Sequence, residues 1–180
     1  MIYLSSDWHL CHDKEFVWKA RGFNSIDEMN RAIVERHNSL VKEEDDVYVL
    51  GDLMLNDNVK GIELFKQMKG KFHIICGNHD TPSRIELYKQ LPQVVEVCYA
   101  TIIKKGRHSF YLSHYPTLTS NMGECHNPTN LFGHTHQENP FDSTLSKNYN
   151  VGVDAHDCYP VSLEKIIEEL YEYFSSKEEI

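Results

Sequence analysis

Phe72-His73-Ile74-Ile75-Cys76 is an apolar run that ends at Gly77 and gives way to the polar residues Asn78-His79-Asp80. A short apolar run bounded by glycine predicts a buried β-strand. The polar side chains then lie at the carboxyl end of that strand, where open α/β sheets form their binding sites. Glycine directly before them lets the backbone turn sharply or approach a neighbour closely.

The same arrangement, an apolar run followed by side chains that bind metals, occurs at four other places in the chain. They are Asp7 and His9 after Ile2-Tyr3-Leu4, Asp52 after Val47-Tyr48-Val49-Leu50, His114 after Phe110-Tyr111-Leu112, and His134 and His136 after Leu131-Phe132. Gly51 and Gly133 precede two of these groups, as Gly77 does in the first. Because the carboxyl ends of neighbouring parallel strands share one edge of a sheet, we expect these side chains to lie close together.

Helical patterns separate the first strands, and strand patterns dominate the second half. Ser25 and Glu28 form a capping box that starts a predicted helix over 26–42. The other predicted helices cover 58–69, 83–90 and the segment that follows Ser162. The predicted strands of the second half are 94–103 and 108–112 around a hairpin turn, 131–132, and 149–153, with a loop over 115–130. This order predicts one α/β domain over residues 1–180 whose second half supplies a second sheet.

The composition is that of a globular protein with an acidic surface. The 180 residues are 41% hydrophobic, and 27 acidic against 18 basic residues give a net charge of −9. This charge argues against a protein that binds duplex DNA non-specifically. No apolar run reaches the roughly 18–20 residues of a membrane span, and the N-terminus has no signal-peptide pattern. We therefore expect a cytoplasmic protein without a membrane partner, whose five cysteines are free thiols.

The candidate ligands are two Asp, four His and one Asn, with no Cys. Such oxygen and imidazole donors suit borderline divalent ions, with Mn²⁺ favoured and Fe, Zn, Co or Ni as alternatives. Seven ligands are too many for one tetrahedral ion, but they fit two ions that share a carboxylate. Two divalent ions and two carboxylates leave a charge of about +2, which attracts a phosphate ester and lowers the pKa of a bridging water.

His79 and Asp80 lie beside the ligand set and are candidates for a different role. His79 directly follows Asn78, so the two side chains cannot easily reach the same ion. A histidine next to a carboxylate is typical of an oriented general acid, and phosphoryl transfer needs a group that protonates the leaving oxygen. We therefore predict that His79 and Asp80 are catalytic residues.

Taken in order along residues 2–153, these motifs resemble the calcineurin-like metallophosphoesterase superfamily. The motifs are Asp7-x-His9, Gly51-Asp52, Gly77-Asn78-His79-Asp80, His114 and Gly133-His134-Thr135-His136. The resemblance implies a four-layer αββα sandwich of two mixed β-sheets flanked by helices. It implies that one metal is held by Asp7, His9, Asp52 and His136, and the other by Asp52, Asn78, His114 and His134. It also implies that His79 is the general acid, with Asp80 behind it.

Departures from the superfamily's larger members narrow the expected activity. Phosphoprotein phosphatases carry an arginine directly before the G-N-H motif, where this chain has Cys76, and another a few residues beyond the G-D motif. Repair nucleases carry an extra capping domain, for which 180 residues leave no room. The chain is therefore similar to the small phosphoesterases. We expect hydrolysis of a small-molecule or nucleotide phosphoester, with phosphodiesters favoured, by attack of a metal-bridging hydroxide.

Two other functions remain open from the sequence. A metal-dependent nuclease acting on DNA or RNA shares the chemistry, but it needs a basic groove that a charge of −9 does not indicate. A catalytically silent scaffold on the same fold is expected to have lost ligands, whereas this chain retains all seven and His79.

Several residues near the motifs carry open roles. His12 is either a substrate or metal-supporting group or a plain loop residue, and Trp8 is a candidate for lining the pocket. Asp154 and His156 either support the ligands or belong to a turn, and the turn is favoured. The remaining predictions are structural: inert thiols at Cys11 and Cys76, structural roles for His37 and His73, and a solvated turn at Lys104, Lys105 and Arg107.

Overall fold

The computed structural model describes residues 1–119, 128–141 and 148–178, which form two β-sheets with helices packed on them. The strands are β1 (Ile2–Ser5), β2 (Asp46–Val49), β3 (Lys71–Ile75), β4 (Val94–Cys98), β5 (Ala100–Lys105), β6 (His108–Ser113), β7 (Thr129–Phe132), β8 (Asn148–Asn150) and β9 (Val161–Ser162). The helices are α1 (Glu15–Ala20), α2 (Ile26–Leu40), α3 (Asn58–Phe65), α4 (Pro82–Lys89) and α5 (Leu163–Glu178), with a 3₁₀ turn at Val153–Ala155. Among the described helices, none is long and apolar enough to cross a membrane.

Each sheet mixes parallel and antiparallel neighbours. The first sheet has the order β4-β3-β2-β1-β9, in which β1 to β4 run parallel and β9 runs antiparallel to β1. The second has the order β5-β6-β7-β8, in which only the β5–β6 pair is antiparallel. The α/β class with two mixed sheets flanked by helices, expected from the sequence, is therefore confirmed.

Two apolar clusters hold these layers together. Alternate residues of β1 serve both, since Tyr3 belongs to one cluster and Leu4 to the other. The first cluster packs α2 and α3 onto the first sheet through residues such as Phe65 and Phe72. The second joins the two sheets and α5, and it includes Leu4, Leu50, Ile75, Phe110, Leu112, Leu131, Leu163 and Ile166. Burial on both faces explains why the central parallel strands read as continuous apolar runs.

The structure differs from the sequence prediction most clearly at 94–103. The predicted single strand is two strands that meet at Tyr99 and belong to different sheets. No glycine or proline marks this break, so the local pattern gives no signal for it. The sequence also gave no prediction of the short helix α1 or of the two-residue strand β9.

Smaller differences concern element ends. The helix predicted over 58–69 ends at Phe65, because Gln67 and Met68 bond to carbonyls three residues back in a tighter turn. The strand predicted over 149–153 ends at Asn150, Gly152 forms an isolated bridge with Ser6, and the 3₁₀ turn begins at Val153. Most of the loop predicted over 115–130 lies outside the described residues, which resume at Pro128.

Candidate metal centre

The described structure brings all seven predicted ligands to one edge of the molecule. Asp7 and His9 follow β1, Asp52 follows β2, Asn78 follows β3, His114 follows β6, and His134 and His136 follow β7. Both sheets therefore contribute side chains to the same place, at the carboxyl ends of their parallel strands.

Asp7, His9 and His136 form the first donor group. The Nε2 atoms of His9 and His136 are 3.1 Å apart. Asp7 Oδ1 lies 3.9 Å from His9 Nε2 and 3.8 Å from His136 Nε2. One potential donor atom from each residue therefore faces a common point.

Asn78, His114 and His134 form the second donor group. Asn78 Oδ1 lies 2.9 Å from His114 Nε2 and 3.0 Å from His134 Nδ1. Asp52 Oδ2 stands between the two groups, 3.5 Å from His114 Nε2 and 3.9 Å from His9 Nε2. A single carboxylate oxygen is thus within reach of both groups.

These residues fit divalent cations. Asp7 Oδ1 is buried without a hydrogen-bond partner among the described residues, which is costly for a carboxylate oxygen unless a cation compensates it. Burial, together with the neighbouring His136 and Arg21, lowers the pKa of His9 to about 2, so its imidazole is neutral. A neutral imidazole offers the lone pair that a metal binds. Carboxylate, amide and imidazole donors together suit borderline divalent ions.

The backbone at the site adopts a conformation that L-amino acids rarely use. Positive φ angles occur at five of the seven predicted ligands: Asp7 (58°), His9 (49°), Asp52 (56°), His134 (68°) and His136 (51°). Such left-handed residues cost roughly 1 kcal/mol or more each and concentrate at functional sites, where the surrounding structure holds them in place.

The motif glycines are needed because the loops approach one another closely. A Cβ added at Gly133 would overlap Ser6 Oγ and the Asp7 carboxylate, and one added at Gly77 would overlap the Asp52 carboxylate. Asp7 Oδ2 accepts hydrogen bonds from the Ser6 hydroxyl at 2.5 Å and the His134 amide at 2.8 Å. The absence of a side chain at Gly133 therefore lets the loop after β7 reach the carboxylate that follows β1.

Asp154 and Arg21 support the first donor group from behind. The Asp154 carboxylate lies 2.8 Å from His136 Nδ1 and accepts two hydrogen bonds from Arg21, at 2.8 and 2.9 Å. Arg21 also donates to the carbonyls of Asp7 and Trp8, at 2.8 and 3.0 Å. Because Asp154 accepts a hydrogen bond from Nδ1–H of His136, the Nε2 lone pair of that ring is free toward Asp7. The favoured sequence interpretation of Asp154 as only part of a turn is therefore incomplete, and the sequence analysis missed Arg21.

The pKa shifts in this pair follow from the same contacts. Burial raises the pKa of Asp154, but the hydrogen bonds from His136 and Arg21 have a larger, opposite effect. The pKa of Asp154 therefore lies well below its usual range. The hydrogen bond to Asp154 raises the pKa of His136, against the effect of burial. At neutral pH the Asp154 carboxylate is ionised and acts as a fixed anchor for the His136 ring.

His79 borders the site, and the Asp80 carboxylate is hydrogen-bonded to the loops around it. The half-buried His79 ring lies 5.5 Å from the His9 ring, and the His79 amide donates to Asp52 Oδ1 at 2.8 Å. The Asp80 carboxylate is buried among main-chain and side-chain donors. Its Oδ2 accepts hydrogen bonds from the amides of Asp52 and Gly77, both at 2.8 Å, and its Oδ1 accepts from the Tyr88 hydroxyl at 2.9 Å. Asp80 therefore positions the loops that carry Asp52 and Asn78, because it accepts hydrogen bonds from the main-chain amides of both loops.

Comparison with known proteins identifies the family of this chain. A model of the calcineurin-like phosphoesterase superfamily domain matches residues 1–152. The chain belongs to this superfamily. The match ends just before Asp154, so the carboxylate that supports His136 lies beyond the part of this calcineurin-like phosphoesterase that the family model describes.

Two relatives extend the likeness over nearly the whole chain. An uncharacterized protein of Methanocaldococcus jannaschii is 31% identical over 172 residues, which cover 92% of this chain and 89% of the relative. The crystal structure of a protein of unknown function from Aquifex aeolicus is 25% identical, with a TM-score of 0.71 over 94% of this chain and 98% of that one. These similarities support the fold of this calcineurin-like phosphoesterase and leave its substrate open.

Of the residues with open roles in the sequence of this superfamily member, His12 lies beside the donor groups, whereas His156 and Trp8 do not. His12 is half-buried, and its ring lies 5.7 Å from that of His9. His156 instead bonds the Asn150 carbonyl at 2.9 Å, away from the donor atoms. Trp8 is 1% exposed and lies in the apolar core, so the expectation that it lines a pocket is wrong.

The cysteines and the basic turn match the structural interpretations. Burial raises the pKa of the Cys11 thiol and raises that of Cys76 to about 12, so both thiols are protonated at neutral pH. Lys105 at the β5–β6 turn forms an ion pair with Glu164 at 2.7 Å. This turn precedes β6, whereas His114 follows β6, so the basic cluster is at the opposite end of the strand from the centre.

Proposed function

We propose that this chain is a dinuclear metal-dependent phosphoesterase that hydrolyses small phosphodiesters. The observation that carries this proposal is the position of Asp52, whose Oδ2 is within 3.9 Å of His9 Nε2 and 3.5 Å of His114 Nε2. One carboxylate that faces both donor groups is the arrangement that a pair of cations sharing a ligand requires.

When bound, two divalent cations, with Mn²⁺ favoured, supply an activated water and neutralise charge on the phosphate. Asp7, His9, Asp52 and His136 would hold one cation, and Asp52, Asn78, His114 and His134 the other. The chain's own residues then fix the geometry. Arg21 and Asp154 orient the His136 ring, and Asp80 holds the loops of Asp52 and Asn78.

His79 is the proposed general acid. Its side chain is half-buried beside the first donor group. The hydrogen bond from its main-chain amide to Asp52 Oδ1 fixes the start of the loop that carries the ring. From this position the imidazolium donates a proton to the leaving oxygen as its bond to phosphorus breaks. The alcohol part of the ester then leaves as a neutral alcohol rather than as an alkoxide, and the rest of the substrate remains as a phosphomonoester.

The charge around the site favours a diester over a monoester. Of the described residues that line the cleft beside the donor groups, only Arg21 has a permanent positive charge, and it forms an ion pair with the Asp154 carboxylate. A phosphodiester has one negative charge, whereas a monoester at neutral pH has about two and gains more from additional cationic partners. The same shortage of free basic side chains argues against a nucleic-acid polymer as substrate.

Hydrolysis of bis(4-nitrophenyl) phosphate by protein loaded with Mn²⁺ tests the proposal. We expect release of 4-nitrophenolate that stops in excess chelator and two metals per chain by elemental analysis. The variant Asp52→Asn is expected to lower the occupancy of both sites together, with Asp46→Asn, at the start of β2 and away from the donor groups, as a matched control. An unchanged rate in excess chelator, or full two-metal occupancy in Asp52→Asn, would contradict the proposal.

A further inference from the structure

A cleft of about 590 Å³ opens beside the first donor group and borders the loop after β1 and helix α1. Beyond the site residues already described, its walls are formed by His12, Phe16, Val17 and Ala20. Pockets of a few hundred to about 1,000 Å³ accommodate ligands of nucleotide size. The cleft therefore offers room for a substrate group next to a phosphate held at the donor atoms.

One wall of this cleft is a series of aromatic rings that leads outward from the centre. The His9 and His12 rings are 5.7 Å apart, and the His12 and Phe16 rings are 6.0 Å apart, each pair in an edge-on arrangement. Phe16 is 72% exposed at the outer end of the series. A planar group that enters the cleft can stack on this accessible ring, as bases do on aromatic side chains in other proteins.

The described residues of the cleft offer no unpaired, permanently charged cation for a second anionic group. Among the described residues that line it, Arg21 is the only permanently cationic side chain, with 3% of the side chain exposed. The Arg21 guanidinium donates to Asp154 and to the carbonyls of Asp7 and Trp8. Among the described lining residues, no permanently charged cation is free to pair with a second phosphate, and His79 is reserved for the leaving oxygen, so a neutral group fits there best.

We propose that the cleft binds a neutral aromatic arm of the substrate, such as a nucleobase, and that Phe16 is its stacking residue. The substrate class is then a small phosphodiester with one nucleoside or aryl ester arm. This inference rests on the proposed function, because it places the phosphate at the donor groups. It assigns Phe16 a role in specificity rather than in the chemical step.

Two esters with the same leaving group and different retained arms test the inference. Thymidine 5′-(4-nitrophenyl phosphate) retains a nucleoside, and methyl 4-nitrophenyl phosphate retains only a methyl group. With Mn²⁺-loaded protein, Phe16→Ala is expected to raise KM for the thymidine ester about 5- to 150-fold, the range that loss of one base-stacking contact gives. The expected change in kcat is less than about twofold, and the rise in KM for the methyl ester is at least fivefold smaller.

Further variants separate stacking from general apolar contact. Phe16→Tyr keeps the ring and is expected to retain most of the wild-type KM for the thymidine ester, whereas Phe16→Leu is expected to behave like Phe16→Ala. Tyr171→Ala is the matched control, since Tyr171 is a 63% exposed aromatic residue on α5 outside this cleft. Calorimetric titration of thymidine 5′-phosphate into the Mn²⁺-loaded protein is expected to show the same order of affinities.

The outcomes distinguish this inference from the proposed function. If Phe16→Ala changes KM equally for both esters, or for neither, the stacking role is wrong and the phosphodiesterase assignment stands. If the wild-type protein cleaves neither ester in the presence of Mn²⁺, the proposed function is overturned and the aromatic subsite with it.

Discussion

At the residue scale, the donor atoms depend on neighbours that hold them in one orientation. His136 is 41% exposed as a side chain, and its orientation comes from the hydrogen bond of Nδ1 to Asp154. Asp154 is in turn held by the bidentate contact of the buried Arg21. A ring on an exposed loop keeps a defined direction only when such a partner limits its rotation.

Replacement of Asp154 by Asn is expected to weaken metal binding about 10- to 100-fold, as loss of a carboxylate behind a histidine ligand commonly does. The amide still accepts from His136, but it removes the charge that Arg21 and His136 share. Titration of metal-free protein with Mn²⁺ measures the change. Asp157→Asn, at an exposed position in the same turn, is the control, and equal Mn²⁺ affinity in the two variants would show that Asp154 does not support the centre.

If His79 is the general acid, its replacement lowers the reaction rate without removing either metal. His79→Ala is expected to retain two metals per chain and to lose a factor of about 10²–10⁴ in kcat, since proton donation to the leaving oxygen is lost. Kinetics with an ester of a poorly acidic alcohol, combined with elemental analysis, measures both quantities. Loss of metal from His79→Ala would instead make His79 a ligand.

At the element scale, helix α2 buries a histidine that makes folding sensitive to acid. His37 Nε2 lies 2.8 Å from the Lys69 carbonyl, and the ring stacks on Phe72. Burial lowers its pKa to about 4, against a smaller raising effect of that hydrogen bond. The unfolded chain takes up this proton near pH 6.5, whereas the folded chain takes it up only near pH 4. The contribution of neutral His37 to the free energy of unfolding is therefore fully present above pH 6.5, and it is lost as the pH decreases from 6.5 to 4.

His37→Gln is expected to flatten this pH dependence in metal-free protein. The amide keeps a donor for the Lys69 carbonyl but does not titrate, so about 3 kcal/mol of the loss between pH 6.5 and pH 4 should disappear. Urea denaturation at several pH values measures the slope, with His108→Gln as the control. A slope equal to that of the wild type would show that His37 does not carry this linkage.

Elements and ligands differ in how far the sequence reveals them. The seven predicted ligands each follow an apolar strand within a few residues, so a local pattern is sufficient to find them. The pairing of Arg21 with Asp154 spans 133 positions and belongs to no short motif, so only the fold reveals it. The hydrogen bonds of Asp80 to the amides of Asp52 and Gly77 also need the fold, because adjacency to His79 in sequence does not determine where a carboxylate points. The break at Tyr99 depends on which sheet each side joins, which is again a property of the whole fold.

At the scale of the whole molecule, the centre lies where the two sheets meet. Asp7, Asp52 and Asn78 follow strands of the first sheet, whereas His114 and His134 follow strands of the second. Cations held by these side chains therefore bind only when both sheets are docked. Ligand binding to the folded state alone raises the stability of the whole domain.

We expect Mn²⁺ to raise the melting temperature of metal-free protein. At 100 times its Kd a ligand adds about 2.7 kcal/mol, which corresponds to roughly 5–10 °C for a domain of this size. Scanning calorimetry with and without chelator measures the shift, and Asp52→Asn is expected to lose most of it. A melting temperature that does not respond to Mn²⁺ would mean that the donor groups do not bind the ion in the folded protein.

The left-handed backbone at five ligand positions gives glycine an advantage there. Without a Cβ, glycine adopts this conformation readily, so a Gly substitution at His134 relieves roughly 1 kcal/mol of backbone strain while it removes a donor atom. If these side chains did not bind cations, glycine at such positions would lower the backbone strain of the folded state. Asp or His at all five positions is the pattern expected where donor side chains are kept despite a local cost to stability, which favours the proposed metal centre over a scaffold that binds no metal.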